Sequence, residues 1–358
     1  MNSTVEILGF AREAAWLPWA VQYFFLVGIS AAAFFLSLPG LAWRRGAWVD
    51  ASRQALMVAL VCGLTAPVAL LSDLHQPGRF LNFYLHPNLR SWMAWGSFFI
   101  PLYLAGLLLY AWLCLRPRLA ALAQAEDQPR LAAAYRALAY GGHDNRAGIA
   151  LAAVATGVGA LLILAYTGME VMVVRARPLW NTPLLPLLLA VTAFGGALGM
   201  TALFAAITRQ GAPAPLLNRW IAVSQWLFLA LLAAWFVSGL TGLSAPAAEA
   251  LAAVRGLPGW ALAGAALAGT SALAWWTAHW RPRSLVLPAL LALALAWGFR
   301  WTLFMGGQAI PKMGSAFHTY SLTLAPDGLI GIVGTAGLLL AIYIVLTSFV
   351  PWDEPAGA

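Results

Sequence analysis

The stretch ALMVALVCGLTAPVALL (residues 55–71) runs directly into SDLHQPGRFLNFY (residues 72–84). The first segment is apolar enough to lie in hydrocarbon. The second, hereafter the Asp73 segment, groups an acid, an imidazole, an amide and an arginine. Only 9% of the residues are charged, so such a group is unusual in this chain, and another apolar run begins near Ser91. The Asp73 segment is therefore predicted to lie at a helix end, close to where membrane hydrocarbon meets water.

Composition places the chain in the membrane class. Of its 358 residues, 62% are hydrophobic and 18 are tryptophan, and the mean hydropathy is +0.80, which is more apolar surface than a soluble core can bury. The net charge of +8 comes mostly from short loops between apolar runs, which favours the positive-inside effect over nucleic-acid binding. Cys62 and Cys114 lack Cys-x-x-Cys spacing, so neither a disulfide framework nor a cysteine-ligated metal is predicted.

Nine segments are long and apolar enough to cross a bilayer, which takes about 20 residues. The sequence predicts an all-α fold, a polytopic transmembrane helix bundle that forms a single integral membrane domain over residues 1–358. The seventh and eighth segments are separated only by a short turn, so eight spans with one extra peripheral helix would give much the same pattern. The nine segments are residues 17–42, 54–73, 91–115, 147–171, 183–208, 217–240, 258–279, 284–306 and 327–350.

Basic residues are distributed unequally between the two sides of this arrangement. The odd-numbered loops carry 12 Lys and Arg residues and the opposite side carries seven. This asymmetry predicts that the odd-numbered loops are cytoplasmic and that the N-terminus and the Asp73 segment are periplasmic. The longest loop, residues 116–146, mixes arginines with acids in an Ala-rich sequence, which is typical of a surface helix on the cytoplasmic side.

Three polar clusters fall on the predicted outer side. The first is the Asp73 segment, the second closes the fourth span and the third follows the eighth span. Acids and arginines at such depth are costly to desolvate and often mark ligand or proton sites. Structural ion pairs and snorkelling to the interface are alternative explanations. The candidate residues are Gln22, Tyr23, Asp73, His75, Arg79, Tyr166, Glu170, Arg177, Arg300 and Lys312.

These residue types suit a quinone. Such a ligand needs an apolar slot, hydrogen-bond donors for its ring oxygens, and an acid or imidazole that exchanges protons. The five histidines all lie at span ends or in loops, so no bis-histidine haem and no metal site are predicted. Composition alone does not separate a quinone site from the gate of a transporter.

Several motifs together resemble the polysulfide reductase NrfD family, from about Trp16 to the last span. They are WLPWAVQYFF (16–25), SDLHQ (72–76), FY (83–84) with SWMAWG (91–96), YTGME (166–170) and ARPLW (176–180). A second set resembles the tetrathionate reductase branch of that family more narrowly. It comprises RWTL (300–303), Gln308, PK (311–312), YSL (320–322), DG (327–328) and GT (334–335).

The resemblance implies a quinol-oxidising membrane protein without haem in the bacterial inner membrane. It would bind menaquinone or ubiquinone near the periplasmic face and pass electrons to a ferredoxin-like 4Fe–4S iron–sulfur subunit and on to a molybdopterin catalytic subunit, both periplasmic. By position, Tyr166 resembles the family's quinone-contacting tyrosine. Tyr23 and Gln22 stand where related members have an amide and an imidazole. Glu170 occupies a position that is apolar in some members.

These observations lead to one hypothesis and two alternatives. Quinol would be held by Tyr166 with Tyr23, Gln22 or His75, and its protons would pass to Asp73 or Glu170. Electrostatic support would come from Arg177, Arg300, Arg79 and Lys312. The complex would act on a sulfur compound such as tetrathionate or polysulfide, and the reverse direction, quinone reduction, is also open. The alternatives are a secondary transporter with polar residues at a repeat interface and a structural anchor without a quinone site.

Overall fold

The computed structural model describes residues 16–208, 214–255, 259–281, 283–310 and 320–350. Over these residues the chain consists of helices and loops without strands, which confirms the predicted all-α membrane fold. A π-helical turn at Thr302–Gly306 joins the eleventh helix to the twelfth. The helices are α1 (Pro18–Leu41), α2 (Val49–Asp73), α3 (Asn82–Leu85), α4 (Trp92–Ala125), α5 (Pro129–Leu138), α6 (Arg146–Met172), α7 (Leu185–Ile207), α8 (Ala214–Leu240), α9 (Ala245–Val254), α10 (Trp260–Trp280), α11 (Val286–Trp301), α12 (Gly307–Ala309) and α13 (Leu329–Phe349).

Eight helices in the described residues are long and apolar enough to cross a bilayer. They correspond to eight of the nine predicted segments. The remaining segment forms α10, which has 21 residues and therefore the length of a span, but its tryptophans and small residues lower its mean hydropathy. Eight helices thus have both the length and the hydropathy of a span, and α10, which packs against α8 and α11, is the helix of the ninth predicted segment.

The third span extends farther than its sequence predicts. Helix α4 continues to Ala125, ten residues beyond the predicted end at residue 115. Arg116 explains this difference, because its guanidinium stacks over the Trp112 ring at 5.3 Å and donates to the carbonyl of His143 at 2.9 Å. Its two terminal nitrogens thus bind carbonyl oxygens of the following loop, those of Tyr140 and His143, and the helix need not end where the charge appears. Helix α5 follows within the loop where a surface helix was predicted.

Small residues allow the helices to pack closely. A Cβ atom on Gly159 of α6 would lie 3.0 Å from the Cα of Tyr103 on α4. A Cβ atom on Gly106 of α4 would lie 2.8 Å from the hydroxyl of Thr156 on α6. Such close backbone approach is the usual way in which membrane helices gain packing energy, because lipid supplies no hydrophobic driving force between them.

The two ends of the bundle are each fastened by contacts between distant parts of the chain. At the end that carries the Asp73 segment, hereafter the Asp73 end, Gln308 makes two hydrogen bonds to the backbone of Trp16, at 2.8 and 2.9 Å. At the opposite end, Arg44 contacts both carboxylate oxygens of Asp144, at 2.6 and 2.5 Å. The guanidinium holds the pKa of Asp144 below its usual value. Because both side chains are about two-fifths exposed, this ion pair adds little stability.

The orientation of the bundle stays a prediction that labelling can test. Leu243, 83% exposed, follows α8 at the Asp73 end, and Tyr140, 80% exposed, lies in the α5–α6 loop at the other end. In spheroplasts, a membrane-impermeant maleimide should label Leu243→Cys, whereas Tyr140→Cys should be labelled only after the membrane is opened. The unchanged chain is the control for Cys62 and Cys114. The reverse labelling pattern would show that the N-terminus is cytoplasmic.

Candidate functional site

Three of the predicted site residues meet between α1 and α6. Tyr166 and Glu170 are four residues apart on α6 and therefore share a helix face. Tyr23 of α1 lies close enough to interact with both of them. All three are buried, with exposures of 1% for Tyr23, 3% for Tyr166 and 8% for Glu170. We call these residues the Tyr–Glu cluster.

The Tyr–Glu cluster contains polar atoms that the protein leaves without a hydrogen bond. The hydroxyl of Tyr23 and the Oε2 atom of Glu170 are both buried, and neither makes a hydrogen bond of good geometry with a described residue. The Tyr166 phenol lies near both side chains and is the group closest to pairing with them. An unpaired buried polar group costs about 1–3 kcal/mol. Two such atoms in one cluster therefore require an explanation, such as a catalytic role, an ordered water or a bound molecule.

A glycine makes room for the Tyr166 ring. A Cβ atom on Gly96 of α4 would lie 2.6 Å from Cε2 of Tyr166 and closer still to Cζ and the hydroxyl. The ring also meets Phe99, three residues after Gly96 on α4, edge to face with 6.4 Å between centroids. Gly96 thus sets the position of the phenol. In the sequence Gly96 stands out only as part of a motif, because nothing there reveals which residue lies opposite it.

Gln22 is next to Tyr23 in the chain, but its side chain contacts other helices and not the Tyr–Glu cluster. Successive residues of a helix point about 100° apart, as 3.6 residues per turn requires. The Gln22 amide donates to the carbonyl of Ile332 at 3.3 Å and accepts from the Trp297 indole at 2.9 Å. Both ends of its amide therefore hold α1 to α13 and α11, and the structure does not bring Gln22 into the Tyr–Glu cluster.

Asp73 caps the first helix. Its carboxylate accepts a hydrogen bond from the backbone N–H of Leu17 at 3.0 Å, directly before the first turn of α1. This contact satisfies a free donor at a helix start and places a negative charge at the positive end of the helix dipole. Leu17 and Tyr23 are six residues apart, so Asp73 lies roughly 9 Å from the level of Tyr23 along the axis. His75 and Arg79 lie beyond it, towards the surface.

The two candidate arginines bind backbone oxygens. Arg300 is 1% exposed and donates to the carbonyls of Phe24 at 3.0 Å and Leu189 at 3.1 Å, and also to the hydroxyl of Thr192 at 3.1 Å. Arg177, in the α6–α7 loop, donates to the carbonyls of Gly307 at 2.9 Å and Ile310 at 3.3 Å. Burial lowers the pKa of Arg177 from its usual value.

In the part of the chain that the structure describes, neither arginine forms an ion pair with Asp73 or Glu170. Each is instead a link between helices. Lys312, the last of the residues predicted to give electrostatic support, lies outside the described residues. The described ranges also contain no group of three or more His, Cys, Asp and Glu side chains that could hold a metal ion.

Comparison with known proteins identifies the family of this chain. The family model described as "Polysulphide reductase, NrfD" matches residues 8–312. The chain belongs to the NrfD family. The matched residues extend past the end of α12 and include all three residues of the Tyr–Glu cluster.

Two relatives extend the comparison. The chain is 35% identical over 349 residues to a tetrathionate reductase subunit of Salmonella typhimurium, a match that covers 95% of this chain and 94% of the relative. It is also 29% identical over 113 residues to a protein of Halobacterium salinarum that is provisionally named as a membrane subunit of dimethyl sulfoxide reductase. That second match covers 32% of this chain and 26% of the relative.

The capping role of Asp73 can be separated from any role of its charge. Asp73→Ala removes the acceptor for the Leu17 N–H and should lower the free energy of unfolding by about 1 kcal/mol. Asp73→Asn keeps a side-chain oxygen and should cost clearly less. Thermal unfolding in detergent measures both. Ser72→Ala is the matched control, because the Ser72 hydroxyl donates to the carbonyl of Val68 within its own helix. Equal losses for the two Asp73 variants would contradict the capping role.

Proposed function

We propose that this NrfD-family chain is the membrane subunit of a reductase complex and exchanges electrons with a quinone at the Tyr–Glu cluster. The observation that carries the proposal is the pair of buried atoms without a hydrogen bond of good geometry, Tyr23 Oη and Glu170 Oε2, beside the Tyr166 phenol. Menaquinone and ubiquinone both fit this chemistry. The Salmonella relative is named as one subunit of tetrathionate reductase, which supports a role in a multi-subunit reductase.

The residues of the cluster fit a quinone ring. A phenol O–H can donate a hydrogen bond to a ring oxygen, and a carboxylate can accept one from a ring hydroxyl. Tyr23 and Tyr166 supply two phenols, and Glu170 supplies the carboxyl group. Apolar surroundings, which the aromatic contact of Phe99 with Tyr166 illustrates, suit the ring itself.

These positions suggest a different role for each residue of the site. When bound, a quinol supplies two electrons and two protons. Tyr166 and Tyr23 orient the ring by hydrogen bonds, and Glu170 accepts a proton at its carboxylate. Asp73, nearer the end of the bundle, is placed to receive protons that leave towards His75. The same residues would serve quinone reduction with each proton transfer reversed.

Arg300 contributes to the site by fixing the position of α1. Its guanidinium holds the carbonyl of Phe24, the residue after Tyr23 in α1. It thereby fixes the part of α1 that carries the Tyr23 phenol against α7 and α11. Arg177 similarly holds the backbone after the π-helical turn through Gly307. We propose that both arginines, together with Arg79 and Lys312, keep the Asp73 end positively charged.

The partners follow from the proposed electron transfer. Electrons would leave to a ferredoxin-like 4Fe–4S iron–sulfur subunit and then to a molybdopterin subunit that acts on a sulfur compound such as tetrathionate or polysulfide. We place both partners at the Asp73 end, on the periplasmic side of a bacterial inner membrane. The resemblance of the sequence motifs and the names of the two relatives support this assignment.

The transporter alternative gains no support from the geometry. It requires Asp73, Glu170 and Arg300 to act together at one interface. Asp73 instead caps α1, Glu170 lies in the Tyr–Glu cluster, and Arg300 binds backbone carbonyls between α1 and α7. The remaining alternative is a structural anchor without a quinone site, and the following experiment distinguishes it from the proposed function.

Glu170→Gln and Tyr166→Phe should each lower quinol-dependent reduction of the terminal acceptor by about tenfold or more, within the range of a general acid–base contribution. The assay uses membranes that contain the whole complex. Turnover with a reduced viologen dye, which bypasses the quinone site, should be unchanged. Tyr110→Phe is the matched control, because its hydroxyl is also buried but contacts Ser37, at 3.4 Å, and not the cluster.

Full quinol-dependent activity in both cluster variants would remove the proposed site and leave the structural anchor. Loss of dye-dependent turnover as well would show that the variants disrupt assembly of the complex. In that case the amount of co-purified partner protein should fall in parallel.

Gly96→Ala tests the position of Tyr166 without changing any reacting group. The new Cβ would overlap the phenol, which must move, so quinol-dependent activity should fall severalfold while dye-dependent turnover is unchanged. The overpacking should also lower the free energy of unfolding by about 1–3 kcal/mol. Gly157→Ala is the control, because its Cβ would make only ordinary contacts, at 3.8 and 3.9 Å, with Phe34 and Phe35. Equal effects of the two alanines on activity would contradict the positioning role of Gly96.

A further inference from the structure

A groove between α8 and α10 lies at the end of the bundle opposite the Asp73 end. Its volume is about 330 Å³. Arg219, in the second turn of α8, and His279, in the last turn of α10, line its mouth, and both side chains are exposed. No member of the Tyr–Glu cluster lines it. The rest of its wall is apolar or aromatic and consists of Pro215, Ala222, Val223, Trp226, Trp275 and Ala278.

Arg219 has no acidic partner in the part of the chain that the structure describes. The ion pairs found there belong to other arginines. The sequence explains this, because the only acid between Glu170 and Asp327 is Glu249. Glu249 lies on α9, which follows α8 at the Asp73 end. The segments that build the groove therefore supply positive charge without a counter-charge.

The groove changes from cationic to apolar along its length. Trp226 is seven residues after Arg219, which places it about 10 Å farther along α8. Trp275 is one turn before His279, and the two rings stack with 5.7 Å between centroids and 12° between planes. A polar mouth followed by an apolar channel matches a phospholipid, which carries a charged headgroup above its acyl chains. Tryptophans are also typical of the level where headgroups meet hydrocarbon.

We propose that this groove binds an anionic phospholipid, with its phosphodiester at Arg219 and His279 and an acyl chain along Val223 and Trp226. A guanidinium can donate two parallel hydrogen bonds to a phosphate, and an imidazole N–H can donate one more. Basic pockets between membrane helices are a known form of headgroup site. A zwitterionic lipid would bring a second, positive group, for which the groove offers no acid. Phosphatidylglycerol, which lacks that group, represents the proposed class.

The test is native mass spectrometry of the detergent-solubilised full complex, titrated with phosphatidylglycerol and, separately, with phosphatidylcholine of the same chain length. Phosphatidylglycerol should bind about tenfold more tightly. Arg219→Gln should weaken its binding about tenfold and remove most of this preference, the effect of losing a hydrogen bond to a charged group. His279→Phe keeps a ring against Trp275 but has no donor, so it should weaken binding about fivefold.

Arg130→Gln is the matched control. Arg130 is an exposed residue of α5, at the same end of the bundle, and it does not line the groove. The substitution removes the same charge, so phosphatidylglycerol binding should not change. Glycerophosphoglycerol, the same headgroup without acyl chains, should not compete at equal concentration. The unfolding temperature of the lipid-free complex should be the same for both glutamine variants, because both arginines are exposed.

Three outcomes would overturn the proposal. The first is equal binding of the two lipids. The second is an equal loss of binding in Arg219→Gln and Arg130→Gln, which would show that only the overall charge of this end attracts lipid. The third is competition by glycerophosphoglycerol, which would indicate a site for soluble phosphates. Because the readout is lipid binding and not turnover, it is independent of the quinone role proposed for the Tyr–Glu cluster, and Glu170→Gln should leave it unchanged.

Discussion

Hydrocarbon offers no hydrogen bonds, so every polar group inside this bundle must find its partner within the protein. Arg300 is the strongest example. Its guanidinium is almost fully buried and donates to Phe24 on α1, to Leu189 and Thr192 on α7, and to its own helix through Ala296. A Cβ on Gly28 would lie 2.9 Å from its Nη2 atom, so the glycine also belongs to this arrangement. One side chain thereby fixes three helices relative to each other.

The Tyr–Glu cluster departs from this rule and carries the proposed function. Tyr23 Oη and Glu170 Oε2 lie between α1 and α6 without a hydrogen bond of good geometry to any described residue. Because the cluster contains an acid beside two phenols, proton exchange is proposed for it.

The contacts of the charged candidates differ most from the sequence-based hypothesis. Arginines and acids on one side of a membrane protein suggest mutual pairing, yet Arg177 and Arg300 bind carbonyl oxygens and Asp73 binds an N–H. The carbonyls that these arginines bind lie after the π-helical turn and within α1 and α7, and the N–H that Asp73 binds lies at the start of α1, so all of these partners are backbone groups. A sequence gives side chains and their charges, so such backbone partners stay hidden until the helices are placed.

The sequence by itself determined the membrane class, the helices and the shared face of Tyr166 and Glu170, because hydropathy and helical spacing are local properties. The tertiary structure alone decided that Tyr23 joins these two residues, that Gln22 faces α11 and α13, and that Gly96 accommodates the Tyr166 ring. These outcomes depend on the rotation of each helix about its axis. That rotation is set by packing between segments far apart in the chain, and no single segment encodes it.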